Sequence, residues 1–170
     1  MSDIPREVAH RIKLVILDVD GVLTDNGVYI GETAGRKHLE AAGVSLSGRE
    51  DGKLTLDKTL VVSSGAGKEL AARKALLADW VKAGGHVLAM GIGEEEASEL
   101  PLNLVLKKAE HISTWFEPFG MTSVFAGVSP AELHNRDPRE LPLVASGQVV
   151  GHGVLARAED ANVVVCQLAP

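Results

Sequence analysis

The sequence predicts an α/β fold: one three-layer domain with a mostly parallel sheet and helices on both faces. Three observations carry that prediction. Continuous apolar runs rich in β-branched residues recur along the chain, the pattern of strands buried on both faces. A long segment with a helical apolar stripe lies between two such runs, which makes a βαβ unit with a right-handed crossover. The chain has 170 residues, 45% of them hydrophobic, enough for one core and short for two.

The elements follow in order. "KLVILDV" (13–19) is the first apolar run. "TLVVSS" (59–64), "HVLAMG" (86–91), "LNLVLK" (102–107) and "NVVVCQL" (162–168) have the same character. The expected core includes Val15, Ile16, Val61, Val62, Val87, Leu88, Val163 and Val165. In "GKELAARKALLADWVKAGG", Leu70, Leu77 and Val81 fall on one helical face, with Leu76 and Trp80 beside it. Ser64 is the expected N-cap of that helix and Gly84 its stop. "GEEEASE" reads as an exposed acidic helix start. No repeat or low-complexity linker divides the chain, so it reads as a single domain over 1–170. The Pro- and Gly-rich stretch from Met121 to Gly153 yields no strand order.

Composition excludes several functions. Net charge is −6 with no basic block, which argues against nucleic acid or an anionic membrane as partner. The lone cysteine, Cys166, rules out an internal disulfide and fits a reducing compartment. The start "MSDIPREVAHR" lacks a signal-peptide pattern. No apolar run reaches the roughly 18 residues of a membrane span. A cytoplasmic protein is the expectation.

The chemistry concentrates where the first run ends. Asp18 and Asp20 lie one residue apart, followed by Gly21. Side chains at i and i+2 of a strand point the same way, and ligands of parallel sheets bind beyond the carboxyl ends of strands. Two carboxylates there can hold a hard cation such as Mg²⁺. One can attack phosphorus while the other moves the leaving-group proton.

"LDVDGVLTD" resembles the first motif of the haloacid dehalogenase superfamily of phosphohydrolases. With "GVLTDNGVYIGE" it looks most like the capless sugar-acid phosphatases that act on 3-deoxy-manno-octulosonate 8-phosphate. The resemblance implies Asp18 as nucleophile, forming an aspartyl-phosphate, and Asp20 as general acid/base. It implies Mg²⁺ as cofactor and a small phosphorylated sugar or sugar acid as substrate. "LEAAGVSLSGRE" (39–50) resembles the family's second motif, which makes Ser47 and Gly48 phosphate ligands. In "GHGVLARAEDANVVV", Asp160 is the acid offered to the metal beside Asp18 and Asp20, while His152 stands where an acid is expected. A lysine on the phosphate is also required, and Lys68, Lys74 and Lys82 are the candidates. "GVYIGE" corresponds to a hairpin whose Val28, Tyr29 and Ile30 a two-stranded ribbon cannot bury alone. A second subunit or the chain's own C-terminal half must cover them, so a homo-oligomer is one expectation.

Residues 59–170 resemble something else, the class I glutamine-amidotransferase-like domains of flavodoxin type. "TLVVSSGAGKELAARKALLADWVKAGGHVLAMGI", "FAGVSPAELHNRDPRELPLV" and "EDANVVVCQLAP" carry that resemblance. Active members have a cysteine on a Gly-x-Cys-x-Gly elbow, whereas Cys166 lies inside an apolar strand. This half therefore reads as a non-catalytic version. The chain is then a hybrid, 1–50 phosphatase-like and 59–170 amidotransferase-like, in one merged α/β sheet. A phosphatase and a non-catalytic binding or assembly module are the two functions to separate. "SSGAGKEL" is not a P-loop, because Val62 and Glu69 stand where Gly and Ser or Thr are needed. The six histidines show no metal-ligand spacing,.

Overall fold

A computed structural model of the chain describes residues 27–31, 33–41, 43–44, 46–47, 54–135, 138–159 and 161–168. Asp18, Asp20, Gly48 and Asp160 lie outside these residues, as do Val15, Ile16 and the run 13–19. Of Ser47 only the backbone is described.

The described chain is an α/β structure built on a mixed sheet. In order the elements are β1 (Gly27–Ile30), α1 (Thr33–Ala41), β2 (Leu46–Ser47), β3 (Thr59–Ser63), α2 (Gly67–Lys82), β4 (His86–Met90) and α3 (Glu94–Glu99). Then follow β5 (Leu106–His111), β6 (Arg139–Val144), β7 (Gln148–Val150), a 3₁₀ turn (Gly151–Gly153), β8 (Leu155–Arg157) and β9 (Val163–Cys166). Seven strands form one sheet in the order β2-β1-β3-β4-β9-β8-β7. The first five are parallel neighbours, and β8 and β7 continue antiparallel. β5 and β6 pair antiparallel in a separate two-stranded sheet.

β3, α2 and β4 form the expected βαβ unit. Leu60 to Ser63 are all buried, as are Val87, Leu88 and Ala89, so both faces of these strands are covered. α2 turns Leu70, Leu77, Trp80 and Val81 onto Val28, Ile30, Leu60, Val62, Val87, Ala89, Val163 and Val165. All six described residues of the expected core are buried. Leu76, one position out of phase, is 57% exposed. On the other face, Tyr29 and Val61 pack with Leu39 of α1 and with Val44. Farther along that face, Leu88, Leu155 and Val164 pack with Phe125, Val128 and Leu133 from the irregular stretch before β6.

Three expectations are corrected. "GVYIGE" does not form a hairpin. β1 runs parallel between β2 and β3, with Val28, Tyr29 and Ile30 only 2–5% exposed. Val28 and Ile30 face one cluster and Tyr29 the other, the alternation of a strand covered on both sides. "LNLVLK" is not a parallel core strand. Leu102, Leu104 and Leu106 only flank the core, and the strand begins at Leu106 and runs into Lys107, Lys108 and Glu110. Ser64 does not cap α2. The turn continues through Gly65, at φ 80°, so that Ala66 precedes the helix with no side-chain cap. At the other end Gly84, at φ 104°, follows the last turn as expected, the left-handed position that glycine fills without a Cβ clash. No described helix is long and apolar enough to cross a membrane.

Candidate functional site

The strand order reverses between β1 and β3: β2 lies on one side of β1, while β3, β4 and β9 follow on the other. In an open parallel sheet this is where connections leave to opposite faces and open a crevice beyond the carboxyl ends. Here the crest is built from Gly31 after β1, Ser63 to Gly65 after β3, Gly91 to Gly93 after β4, and Gln167 after β9.

Each part of the crest is held by its own contacts. Tyr29 Oη lies 2.5 Å from Ser63 Oγ, a bond between buried hydroxyls across the reversal point. Gly31, at φ 146°, leaves room for that hydroxyl, since a Cβ there would overlap the Ser63 side chain. The glycine-rich turn after β3 offers backbone N–H groups, and the helix behind it adds its positive end. A carboxylate of the chain itself takes up that potential. Glu96, 4% exposed, accepts from Gly65 N at 3.0 Å and from Gly93 N at 2.9 Å. The same side chain thus closes the first turn of α3 and ties it to the β3–α2 turn. On the far side Gln167 Nε2 donates to the carbonyls of Ile92 at 3.0 Å and Pro142 at 2.7 Å. Cys166 keeps some exposed surface, but burial pushes its thiol above the ordinary 9.0, partly offset by a backbone hydrogen bond from Leu168. A thiol held protonated is a poor nucleophile.

The three candidate lysines separate clearly. Lys68 is exposed in the first turn of α2, at the crest. Lys74 bonds the Ser98 carbonyl at 2.9 Å and the Glu99 carboxylate at 3.2 Å, joining α2 to α3. Lys82 lines a cleft of about 580 Å³ with Val81, Asn103 and Glu159. That cleft lies at the opposite end of the sheet, where α2 finishes and β9 begins. Glu159 and Ala161, the described neighbours of Asp160, both line it. Ser47 ends the edge strand β2, in register with Val28 rather than with the carboxyl end of β1.

Among the described residues, no three His, Cys, Asp or Glu side chains gather to hold a metal ion. What the crest shows is a set of hydroxyls, amides and one carboxylate bonded to each other and to backbone groups, with Gln167 Oε1 left buried without a hydrogen-bond partner. The sequence reading missed Glu96, Ser63 and Tyr29. For Glu96 a signal was present: it stands three residues after Gly93, the spacing at which a Glu reaches back to the N-cap backbone. Ser63 and Tyr29 meet across 34 positions of sequence, and no local pattern announces such a pair. Comparison of the chain with protein-family models, with curated proteins and with solved structures finds no match.

Proposed function

We propose that the chain is a Mg²⁺-dependent phosphomonoesterase of the haloacid dehalogenase type, acting on a small phosphorylated sugar or sugar acid. The observation that carries this reading is the string "LDVDGVLTD" just ahead of a parallel sheet with a reversal point at β1. Six residues lie between Asp20 and Gly27, and the seven peptide links across them can reach roughly 24 Å. The four residues of β1 span about 13 Å. The connection is long enough to bring the acid pair to the crest.

In this reading Asp18 attacks phosphorus and its carboxylate becomes an aspartyl-phosphate. Asp20 gives a proton to the departing sugar hydroxyl and then takes one from the water that releases phosphate. Ser47 and Gly48 would hold the phosphoryl oxygens, a role that the register of Ser47 with Val28, short of the carboxyl end of β1, supports less well. Lys68 is the lysine best placed to neutralise charge, because Lys74 is engaged with α3 and Lys82 lies at the far end of the sheet. Asp18 and Asp20 are hard oxygen donors that suit Mg²⁺, which when bound would offset charge on the phosphoryl group. Asp160 supports that role less well, since its neighbours line the amino-end cleft.

A second reading has its own observation. Glu96 already fills the glycine-rich turn, and the strand order β2-β1-β3-β4-β9 is that of flavodoxin-type folds. A non-catalytic, amidotransferase-like binding or assembly module of three layers fits both. Hydrolysis of a generic phosphate ester separates the two. The phosphatase reading expects Mg²⁺-dependent turnover that Asp18→Asn abolishes. Equal rates for wild type and Asp18→Asn would remove the covalent mechanism, and no turnover in either would favour the module.

A further inference from the structure

We propose that His111 and His152 form a two-histidine site for a borderline transition-metal dication: Zn²⁺, Ni²⁺ or Cu²⁺. It uses neither Asp18 nor Asp20 and does not rest on the phosphatase reading. Three observations lead to it.

The first is an orphaned lone pair. His111 closes β5 and is 2% exposed. Its Nε2 lies 2.7 Å from the Leu133 carbonyl. A carbonyl only accepts, so Nε2 carries a proton, and in the neutral ring Nδ1 presents a lone pair. Nδ1 is buried with no hydrogen-bond partner. A buried nitrogen of this kind is uncommon and needs a partner chemistry to explain it. A neutral imidazole whose other nitrogen donates to a backbone carbonyl is also the usual state of a metal ligand.

The second is a backbone held against its preference. His152 is the one described non-glycine residue with positive φ, at 60°. It stands between Gly151 at φ 59° and Gly153 at φ 99°. Neither glycine has room for a side chain. A Cβ on Gly153 would overlap the Val144 carbonyl, and one on Gly151 would come within 2.9 Å of Thr114. The turn is pinned on both sides, and a histidine occupies the position where glycine would be least strained. Strain kept in a surface turn is a mark of function.

The third is distance. The two rings are 6.3 Å apart between centroids, at 71° to each other. With metal–nitrogen bonds of about 2.0–2.1 Å, two imidazoles on one ion have centroids roughly 5 Å apart at the tetrahedral angle and roughly 6.4 Å apart when trans, so the observed separation matches a nearly trans pair. His152 is exposed, so its ring can rotate to improve the angle. Imidazole favours Zn²⁺, Ni²⁺ and Cu²⁺ and discriminates against Mg²⁺. With two protein ligands, the remaining coordination positions are open to water or to a small ligand.

The test uses tag-free full-length protein titrated with ZnCl₂, NiCl₂ or CuCl₂, with MgCl₂ as control. Calorimetry should show one equivalent bound, and thermal melts a Tm that rises and saturates with metal. The spectrum of the Cu²⁺ complex should show two coordinated nitrogens. His152→Ala and His152→Gly should each weaken binding by about tenfold or more and reduce the count to one nitrogen. His152→Gly should also raise the metal-free Tm, because it relieves the turn. His134→Ala, which alters an exposed histidine next to Leu133, should bind as wild type does. The proposal is overturned if wild type binds no transition metal, if His152→Gly keeps wild-type affinity, or if His134→Ala is the variant that loses it.

Discussion

A methyl group at position 31 has nowhere to go. Gly31 sits at φ 146° with the Ser63 side chain where its Cβ would be. Gly31→Ala combines a left-handed penalty with overpacking, and urea unfolding should show a loss of about 2–4 kcal/mol. Glu96 is a second such position. Its two carboxylate oxygens each accept a backbone N–H, so Glu96→Gln keeps the shape but turns an NH₂ toward a donor. The expected loss is about 1–3 kcal/mol. An unchanged midpoint would mean that the carboxylate is not the staple it looks to be. Cys166 provides a pH test. Its pKa is raised in the folded state by burial, so the unfolded thiol ionises first as pH rises. The thiol favours folding below the ordinary 9.0, and that contribution declines as pH climbs past it. A thiol reagent at pH 8 should accordingly label unfolded protein much faster than folded protein, and equal rates would contradict the desolvation.

At the scale of elements, the phase of α2 decides which leucines matter. Leu77 is 1% exposed and its neighbour Leu76 is 57% exposed. Leu77→Ala should cost about 3 kcal/mol, and Leu76→Ala less than about 0.5 kcal/mol. Comparable losses would mean that the helix is rotated from this packing. β1 makes a similar point. Val28, Tyr29 and Ile30 look like exposed ribbon residues in need of a partner, yet the rest of the same chain covers them. Tyr29→Asp would bury a carboxylate in an apolar setting, at a cost well above about 3 kcal/mol. We expect loss of the cooperative unfolding transition. A folded Tyr29→Asp monomer would return β1 to the surface.

For the molecule as a whole, the parallel strands β3, β4 and β9, the βαβ unit and the part of the core they build were legible in the sequence. Continuous apolar runs such as "TLVVS" and "NVVVC" can satisfy burial only when covered on both faces, and the stripe of α2 supplies one of those covers. Asp18 and Asp20 are a reading of another kind, two carboxylates beside a glycine at the end of an apolar run, and they lie outside the described residues. Other features were decided only by tertiary structure. "LNLVLK" and "GVYI" carry similar apolar signals, but the first flanks the core and the second enters the sheet. The difference lies in which neighbours arrive to accept their hydrogen bonds. Glu96 looked like one more exposed acid in "GEEEASE". The fold brought Gly65 within 3.0 Å of it, 31 positions away in sequence. His111 and His152, far apart and without ligand spacing, were likewise brought together by the fold, in which β6 pairs with β5 and packs on the turn after β7. A sequence determines what its local periodicity and covalent chemistry dictate. Pairings across long separations depend on the closure of many loops at once, and only the folded chain fixes them.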